Sequence, residues 1–365
     1  MVATIQDVAK AAGVSKATVS YVINDKPGVS DETRYRVLTI MKDLNFMPNA
    51  AARGLAGQST EMIGLVIPDI TDMFYADIVR GVENKANEYG FTLNLCTTHA
   101  IPDKERTVTD MFTSGRVDGV ILMTYYLDAQ YLNKLKQRNV PFVTIDNPIE
   151  DDFYSVTVGN EEAGYQATEL LLELGHRRIG FIHGATGTMD SKLRYKGFLK
   201  ALKERGIKPE TRLVNGGDFK RDGGYAAALE LLRAQEPPTA IFAANDQMAL
   251  GVIGAANECG LYVPYDLSVI GVDDIEAAAL TDPPLTTIKQ PIYEMGSTAA
   301  QILTELIKGN KPPSRKITLG TELILRGTCA APRNKEYRPA RDRLTINSNK
   351  TCDREGRPIA RNRGT

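Results

Sequence analysis

With 365 residues and 42% hydrophobic content, the chain can fill a small head and a larger body, and no apolar run approaches the roughly 20 residues of a membrane span. The formal net charge of −1 is unevenly spread: residues 1–60 carry +2, the body −9 and residues 333–365 +6. This argues against a protein that coats nucleic acid over its whole surface and suits one whose DNA contact is confined to one end. Cys96, Cys259, Cys329 and Cys352 lie far apart with no C-x-x-C pair, so neither a zinc site nor a disulfide framework is expected. The N-terminus reads as a capped amphipathic helix rather than a signal peptide, and a cytoplasmic location is expected.

The chain opens on Thr4-Ile5-Gln6-Asp7, a capping box with an acidic third position, leading into a short helix whose apolar residues are Ile5, Val8 and Ala9. Gly13 punctuates before Val14–Asn24, which reads V-S-K-A-T-V-S-Y-V-I-N. Ser15 and Thr18 can open a helix there, and Val19, Val22 and Ile23 recur at helical spacing. Two short helices joined by a Gly-containing turn, the second presenting small and polar groups at its start, suit a helix-turn-helix entering a major groove. Lys16, Ala17 and Tyr21 are then the candidates for base edges. Ser15, Thr18, Ser20 and Asn24 are the candidates for holding the backbone register, and Thr4 at the first cap joins the set. Ser30 can cap a third helix with Val37, Leu38, Ile40, Met41 and Leu44 as its apolar side, closing a three-helix headpiece over residues 1–47.

Residues 48–60 contain P-N-A-A-A-R-G-L-A-G, which has a cap, about two turns of helix formers and a terminal glycine. A helix this short is marginal by itself in water. The bland reading is a plain linker. The functional one is a hinge helix that orders only on DNA, with Leu55 as an apolar wedge in a minor-groove step and Arg53 near phosphate. Asn49, Ala52 and Ala56 belong to the same candidate surface.

At this point the chain resembles the lactose-repressor/galactose-repressor (LacI/GalR) family of bacterial transcription regulators over roughly residues 2–330. The motifs that carry the resemblance are T-I-Q-D-V-A-K-A-A-G-V-S-K-A-T-V-S-Y-V-I-N, P-N-A-A-A-R-G-L-A, A-N-D-Q-M-A-L-G, S-V-I-G-V-D-D and P-P-L-T-T-I-K-Q, in family order. Tyr21 is a departure, standing where members often carry arginine.

From Met62 the pattern changes to short apolar strands alternating with amphipathic helices. Strands are expected at 63–68, 91–97, 119–124, 142–146, 179–184, 240–244 and 267–272, and helices include 76–89, 161–174, 194–205, 223–233 and 246–260. Such alternation predicts an α/β body of parallel sheets covered on both faces. One sheet of about ten strands and two βα subdomains both fit, with two subdomains favoured. The resemblance implies a periplasmic-binding-protein-like body of two doubly wound parallel-sheet subdomains over 61–332. The N-subdomain would cover about 61–158 plus 289–318, and the C-subdomain about 159–288 plus 319–332. Residues 333–365, basic and nearly free of large aliphatics, are expected to form a disordered tail. They contain no leucine heptad, so the expected assembly is a homodimer.

In parallel α/β layers, ligands sit beyond the carboxyl ends of the strands. Pro68 to Tyr75, Thr124-Tyr125-Tyr126, Asp146-Asn147, Asn245-Asp246 and Asp273-Asp274 fall at such ends. Carboxylates and amides exchange hydrogen bonds with hydroxyls, and flat rings cover the apolar face of a sugar. A mono- or disaccharide effector is therefore expected. The resemblance implies ligand roles for Asp146, Arg194, Asn245 and Asp273, with Phe74 and Phe219 as stacking surfaces; Tyr125 is a weaker candidate, since it or Tyr126 can be subdomain core. Each has a bland competitor: Asn245 can simply cap a helix, one of Asp273 and Asp274 can do the same, Arg194 can form a surface salt bridge, and Phe219 can be loop packing.

His99, His176 and His183 have no metal-ligand spacing and no serine or cysteine partner, and the dinucleotide, nucleotide and hydrolase glycine motifs are missing. No enzyme, metal or cofactor is expected. The reading is a ligand-responsive repressor of carbohydrate-utilisation genes that binds double-stranded operator DNA. The competing readings are a nucleoside, purine or protein corepressor within the same family, and a sugar-binding transport protein, which the added head argues against.

Overall fold

The computed structural model describes residues 3–46, 59–146 and 153–333. The head consists of α1 (Ile5–Ala12), α2 (Lys16–Ile23) and α3 (Asp31–Asp43). Each helix begins where a hydroxyl meets a free amide. Thr4 closes its box with Asp7, Ser15 Oγ accepts from the Thr18 N–H at 3.0 Å, and Ser30 Oγ accepts from the Thr33 N–H at 3.3 Å. Gly13 ends α1 at φ 65°, a left-handed conformation that glycine adopts freely. The core is Val8, Ala9, Ala12, Val19, Val22 and Val37, with Ile5, Ile23, Ile40 and Met41 at its edge. Leu38 and Leu44 are not in it, being 48% and 39% exposed. Leu38 lies roughly 100° round the helix from Val37, and Leu44, as the C-cap, stands beyond the last turn.

The body begins with β1 (Met62–Ile67), α4 (Met73–Glu88), β2 (Thr92–Thr97), α5 (Pro102–Thr113), β3 (Gly119–Leu122), α6 (Ala129–Gln137), β4 (Phe142–Ile145) and β5 (Ser155–Val158). It continues through α7 (Asn160–Glu173), β6 (Ile179–Ile182), α8 (Met189–Glu204), β7 (Val214–Asn215), α9 (Arg221–Leu232), β8 (Ala240–Ala243), α10 (Asp246–Glu258), β9 (Ser268–Asp273), α11 (Glu276–Leu280) and β10 (Thr286–Lys289). It closes with α12 (Ile292–Ile307), β11 (Lys316–Leu319) and β12 (Glu322–Ile324).

These strands form two six-stranded sheets, ordered β11-β5-β4-β3-β1-β2 and β12-β10-β9-β8-β6-β7. The single-sheet alternative is thereby excluded. Pairing is parallel except between β10 and β12. The chain passes from one sheet to the other at Gly159, at Gln290-Pro291 and at Gly320-Thr321. Strands such as β3, β6 and β8 are buried at every residue, because helices cover both faces and leave no polar side.

Helix pairs lock the layers. A Cβ at Gly164 would stand 2.0 Å from the Arg194 carbonyl oxygen, and one at Gly197 would stand 2.0 Å from that of Glu161. Helices α7 and α8 therefore pack backbone against backbone, which fixes where Arg194 can reach. No helix among the described residues is long and apolar enough to cross a membrane.

Candidate functional site

On the head, Lys16 and Ala17 are exposed at the start of α2 and Tyr21 in its second turn, and the Lys26 ammonium lies 5.8 Å over the Tyr21 ring. The polar groups beside them have local partners. Ser15 Oγ and Thr18 Oγ1 are 2.9 Å apart, and Asn24 Nδ2 donates to the Ser20 carbonyl at 2.7 Å and to Ser20 Oγ at 3.3 Å. Thr4 is bound to Asp7 through both its N–H and its hydroxyl. Asn49, Ala52, Arg53, Leu55 and Ala56, with the hinge helix and the tail from 334 onward, lie outside the described residues. Just past the hinge segment, Asp118 gathers the chain. Its carboxylate accepts from Ser59 Oγ (2.6 Å), the Thr60 N–H (2.7 Å), Thr60 Oγ1 (2.9 Å) and the Glu61 N–H (2.9 Å). The sequence reading did not single out this residue.

In the body, residues beyond the carboxyl ends of β1, β3, β4, β6, β8 and β9 line one cleft between the two sheets. The cleft holds three spaces of about 310, 250 and 30 Å³, all walled in part by Tyr75 and Tyr125. Asp72 caps α4 by accepting from the Phe74 N–H at 3.0 Å, and so sets Phe74 and Tyr75, whose rings meet edge to face at 5.3 Å. The Tyr75 and Tyr125 hydroxyls are 2.6 Å apart. The Tyr125 ring stacks on Phe219 across the subdomains at 6.3 Å and 29°. Buried Glu105 on α5 fixes the Tyr125 loop by accepting from the N–H groups of Tyr125 (3.1 Å) and Tyr126 (2.9 Å).

All seven sequence candidates border this cleft. Arg194 is not a surface ion pair: it is 2% exposed, with Nε donating to Asn160 Oδ1 at 2.8 Å and Nη1 to the Ala244 carbonyl at 2.5 Å. Asn245 combines two jobs. Its Oδ1 caps α10 by accepting from the Met248 N–H at 3.0 Å, while its Nδ2 holds the Phe219 carbonyl at 3.1 Å. Neither aspartate of the 273–274 pair caps α11; Asp274 pairs with Arg326 at 2.5 Å, and Asp273 accepts from Gln290 Nε2 at 2.6 Å. Tyr126 is 37% exposed, so Tyr125 is the inward member of its pair. His183 is packed against Phe181 and Tyr195, with Nδ1 3.2 Å from Ser191 Oγ.

Several cleft residues hold left-handed backbone, with φ 53° at Asp146, 66° at Phe219 and 128° at Asp273. Non-glycine residues in such regions cost about 1–3 kcal/mol each, and strain of this kind clusters at ligand clamps and switch regions. Charge is concentrated too. Desolvation, then the Asp190 charge, pushes Asp146 up to about 7 against the pull of Arg194. Burial likewise raises Asp273 well above the usual carboxylate range, with Arg194 opposing. Burial also lifts Asp246 to about 7, although Thr287 Oγ1 donates to it at 2.6 Å and the Ile275 N–H at 3.1 Å. The sequence reading did not name Tyr75, Asp72, Asp190 or Asp246 as site residues. Asp72, Tyr75 and Asp246 lie in stretches already placed at strand ends, which was the available signal, whereas Asp190 stands eight residues beyond the end of β6 and had none. No group of three or more His, Cys, Asp or Glu side chains suited to a metal ion occurs among the described residues.

Comparison with known proteins bears on both sites. Residues 4–49 match the model of bacterial regulatory proteins of the lacI family, and residues 168–329 match a periplasmic binding protein-like domain. The chain is 39% identical over 339 residues to the HTH-type transcriptional repressor PurR of Pectobacterium atrosepticum, covering 92% of this chain and 99% of that one. It is 38% identical to catabolite control protein A of Priestia megaterium, covering 83% and 92%. Among solved structures, a lac repressor dimer bound to operator and the anti-inducer ONPF superposes with TM-score 0.76 at 32% identity, over 91% of this chain and 100% of that one. A complex of the transcriptional regulator CelR with cellobiose gives TM-score 0.69 at 34% identity, over 89% and 99%. The chain belongs to the lacI family of bacterial regulatory proteins and is a DNA-binding transcriptional repressor rather than an enzyme.

Proposed function

We propose that this repressor controls carbohydrate-utilisation genes, binds a near-palindromic operator as a homodimer and is switched by a mono- or disaccharide in the body cleft. The observation that carries the effector class is the cleft wall: the carboxylates of Asp72, Asp146, Asp190 and Asp273 stand beside the ring faces of Phe74, Tyr125 and Phe219. Carboxyl groups in this number accept from a ligand's hydroxyls and, where burial keeps them protonated, donate to them, and the rings suit its C–H faces. The CelR–cellobiose complex supports the same class.

On DNA, Lys16, Ala17 and Tyr21 would meet base edges while Ser15, Thr18, Ser20 and Asn24 hold the register. A two-fold pair of heads would read two half-sites, and Leu55 from each hinge would wedge a minor-groove step. The effector then acts through its different affinity for the DNA-competent and incompetent arrangements. A second reading, a purine effector, is favoured by the PurR relatives and by the flat stack of Tyr125 on Phe219.

A thermal-shift screen of mono- and disaccharides alongside hypoxanthine, repeated with operator DNA, separates the two readings. A sugar should raise Tm and change operator affinity; a shift with hypoxanthine alone would replace the sugar reading. Leu55→Ala should weaken operator binding in a gel-shift titration while effector binding persists, and equal operator affinity would remove the wedge.

A further inference from the structure

Glu105 is a fully buried carboxylate that lines none of the three cleft spaces. It stands in the first turn of α5, on the buried side that also carries Val108, Thr109 and Phe112. A carboxylate in such surroundings is costly unless donors take its oxygens. Here one loop takes both: Oε1 accepts from the Tyr125 N–H at 3.1 Å and Oε2 from the Tyr126 N–H at 2.9 Å.

That loop is a wall of the cleft. Residues 123–128 border the space of about 250 Å³ in unbroken order, and Tyr125 also borders the other two. The start of the loop is tied by the Met123 N–H, which donates to the Val66 carbonyl at 2.9 Å, and its end by Asp128, which caps α6. Glu105 holds the middle, at the residue whose ring stacks on Phe219 and whose hydroxyl lies 2.6 Å from that of Tyr75. The only route from Glu105 to a ligand therefore runs through the place it gives the Tyr125 ring.

We propose that Glu105 is a positioning residue of the effector cleft: by holding the Tyr125 and Tyr126 amides it fixes the Tyr125 ring against Phe219, and so sets effector affinity without touching the effector. This rests on the body cleft being the effector site, and it applies to a sugar and a purine alike.

The test is calorimetric titration of the full chain with D-glucose, cellobiose and hypoxanthine. Glu105→Ala removes both acceptors and should weaken the tightest binder of the three about tenfold, the upper end of what one lost aromatic stack accounts for. Glu105→Gln keeps one acceptor oxygen and should weaken it about threefold, so the test survives if the alanine variant fails to fold. An unchanged Kd in folded Glu105→Gln overturns the proposal. In a Phe219→Ala background the same substitution should change Kd by less than about twofold, because the contact it acts through is already gone. An undiminished loss in that background overturns the route through the stack. Melting temperatures of the parent, both single variants and the double variant, taken without ligand, close a second cycle. The losses from Glu105→Gln and Phe219→Ala should fall short of additive, and strict additivity overturns the positioning role. Failure of all three compounds to bind the parent counts against the effector reading alone, and the melting cycle still decides on Glu105.

Discussion

Gly184 follows β6, and the atoms nearest to a Cβ added there all belong to the Phe219 ring, so a substitution tests that wall without removing a polar side chain. A Cβ at this position would stand 2.0 Å from Phe219 Cζ and 2.1 Å from Cε1. Carbon atoms settle about 3.5–4.0 Å apart, so in Gly184→Ala the ring must retreat by about 1.5–2 Å. Gly184 is not among the positive-φ residues, and alanine suits its backbone. The Phe219 carbonyl is pinned by Asn245, so the ring swings rather than the loop sliding. Its stack on Tyr125 is then lost, worth about 0.5–1.5 kcal/mol, with crowding adding about 1–3 kcal/mol. We expect a lower Tm and an effector Kd raised about tenfold, equivalent to about 1.4 kcal/mol. Calorimetric titration with whichever compound gives the largest thermal shift reads this. In a Phe219→Ala background the same substitution should add almost nothing, as expected when two changes act through one contact. An unchanged Kd in folded Gly184→Ala would refute a ligand role for the Phe219 wall.

Two further outcomes follow from other parts of the fold. His176 is 1% exposed and bound to Thr239 Oγ1, Ser268 Oγ and the Ala330 carbonyl, and burial holds its pKa below the ordinary value. As pH falls below about 6.5 the unfolded chain takes up the proton first, so stability is full above that value and is lost as pH falls toward the depressed folded value. Between about pH 7 and pH 5.5 this loss runs against the gain from Asp146, Asp246 and Asp273, whose raised folded values stabilise the protein as pH falls, so the readout is the difference between variants: Tm of His176→Gln should fall less, or rise more, over that window than that of the parent, and parallel profiles would remove the histidine. Asp118→Ala releases four hydrogen bonds to Ser59, Thr60 and Glu61, costing about 1–3 kcal/mol for the acceptor-less groups. Gel shifts with and without effector should then show a smaller effector response, and an unchanged ratio would mean that this latch carries no signal.

The head was legible because its signals are local: Thr4, Ser15, Ser30 and Gly13 act within a few residues of themselves. Leu38 and Leu44 were misplaced because only the packing of three short helices decides how narrow the buried stripe is. In the body, the strongly apolar strands stood out, whereas β5 (S-V-T-V) and β11 (K-I-T-L) mix polar with apolar residues and gain their identity by pairing with each other. The sequence required a partner for Arg194 but could not supply it, since Asn160 and Ala244 come from α7 and from the end of β8, 34 and 50 residues away. Asp190 lay before the helix expected at 194–205, whereas α8 begins at Met189 and takes Asp190 into its first turn. Only the approach of the two sheets makes it a neighbour of Asp146.

How a ligand could speak to the head is constrained by one short strand. β3 is four buried residues, about 13 Å of extended chain, with Asp118 immediately before it and Tyr125 shortly after it. One end therefore holds the segment leaving the hinge, and the other holds the ring that stacks on the opposite subdomain. Flanked by β1 and β4 and closely packed, such a strand moves with its sheet rather than bending within it. On the proposed function, a ligand that parted Tyr125 from Phe219, or drew Asp273 from Gln290 at the crossing into α12, would act by rotating the N-subdomain as a body. Rotation of that body carries Asp118 and the residues it holds, Ser59, Thr60 and Glu61, with it. The Tyr125 ring and the single carboxylate at the base of β3 thus belong to one mechanical unit and Phe219 to the subdomain facing it, which is why Gly184→Ala, at the contact between the two, should alter effector binding, and Asp118→Ala, at the far end of β3, effector response.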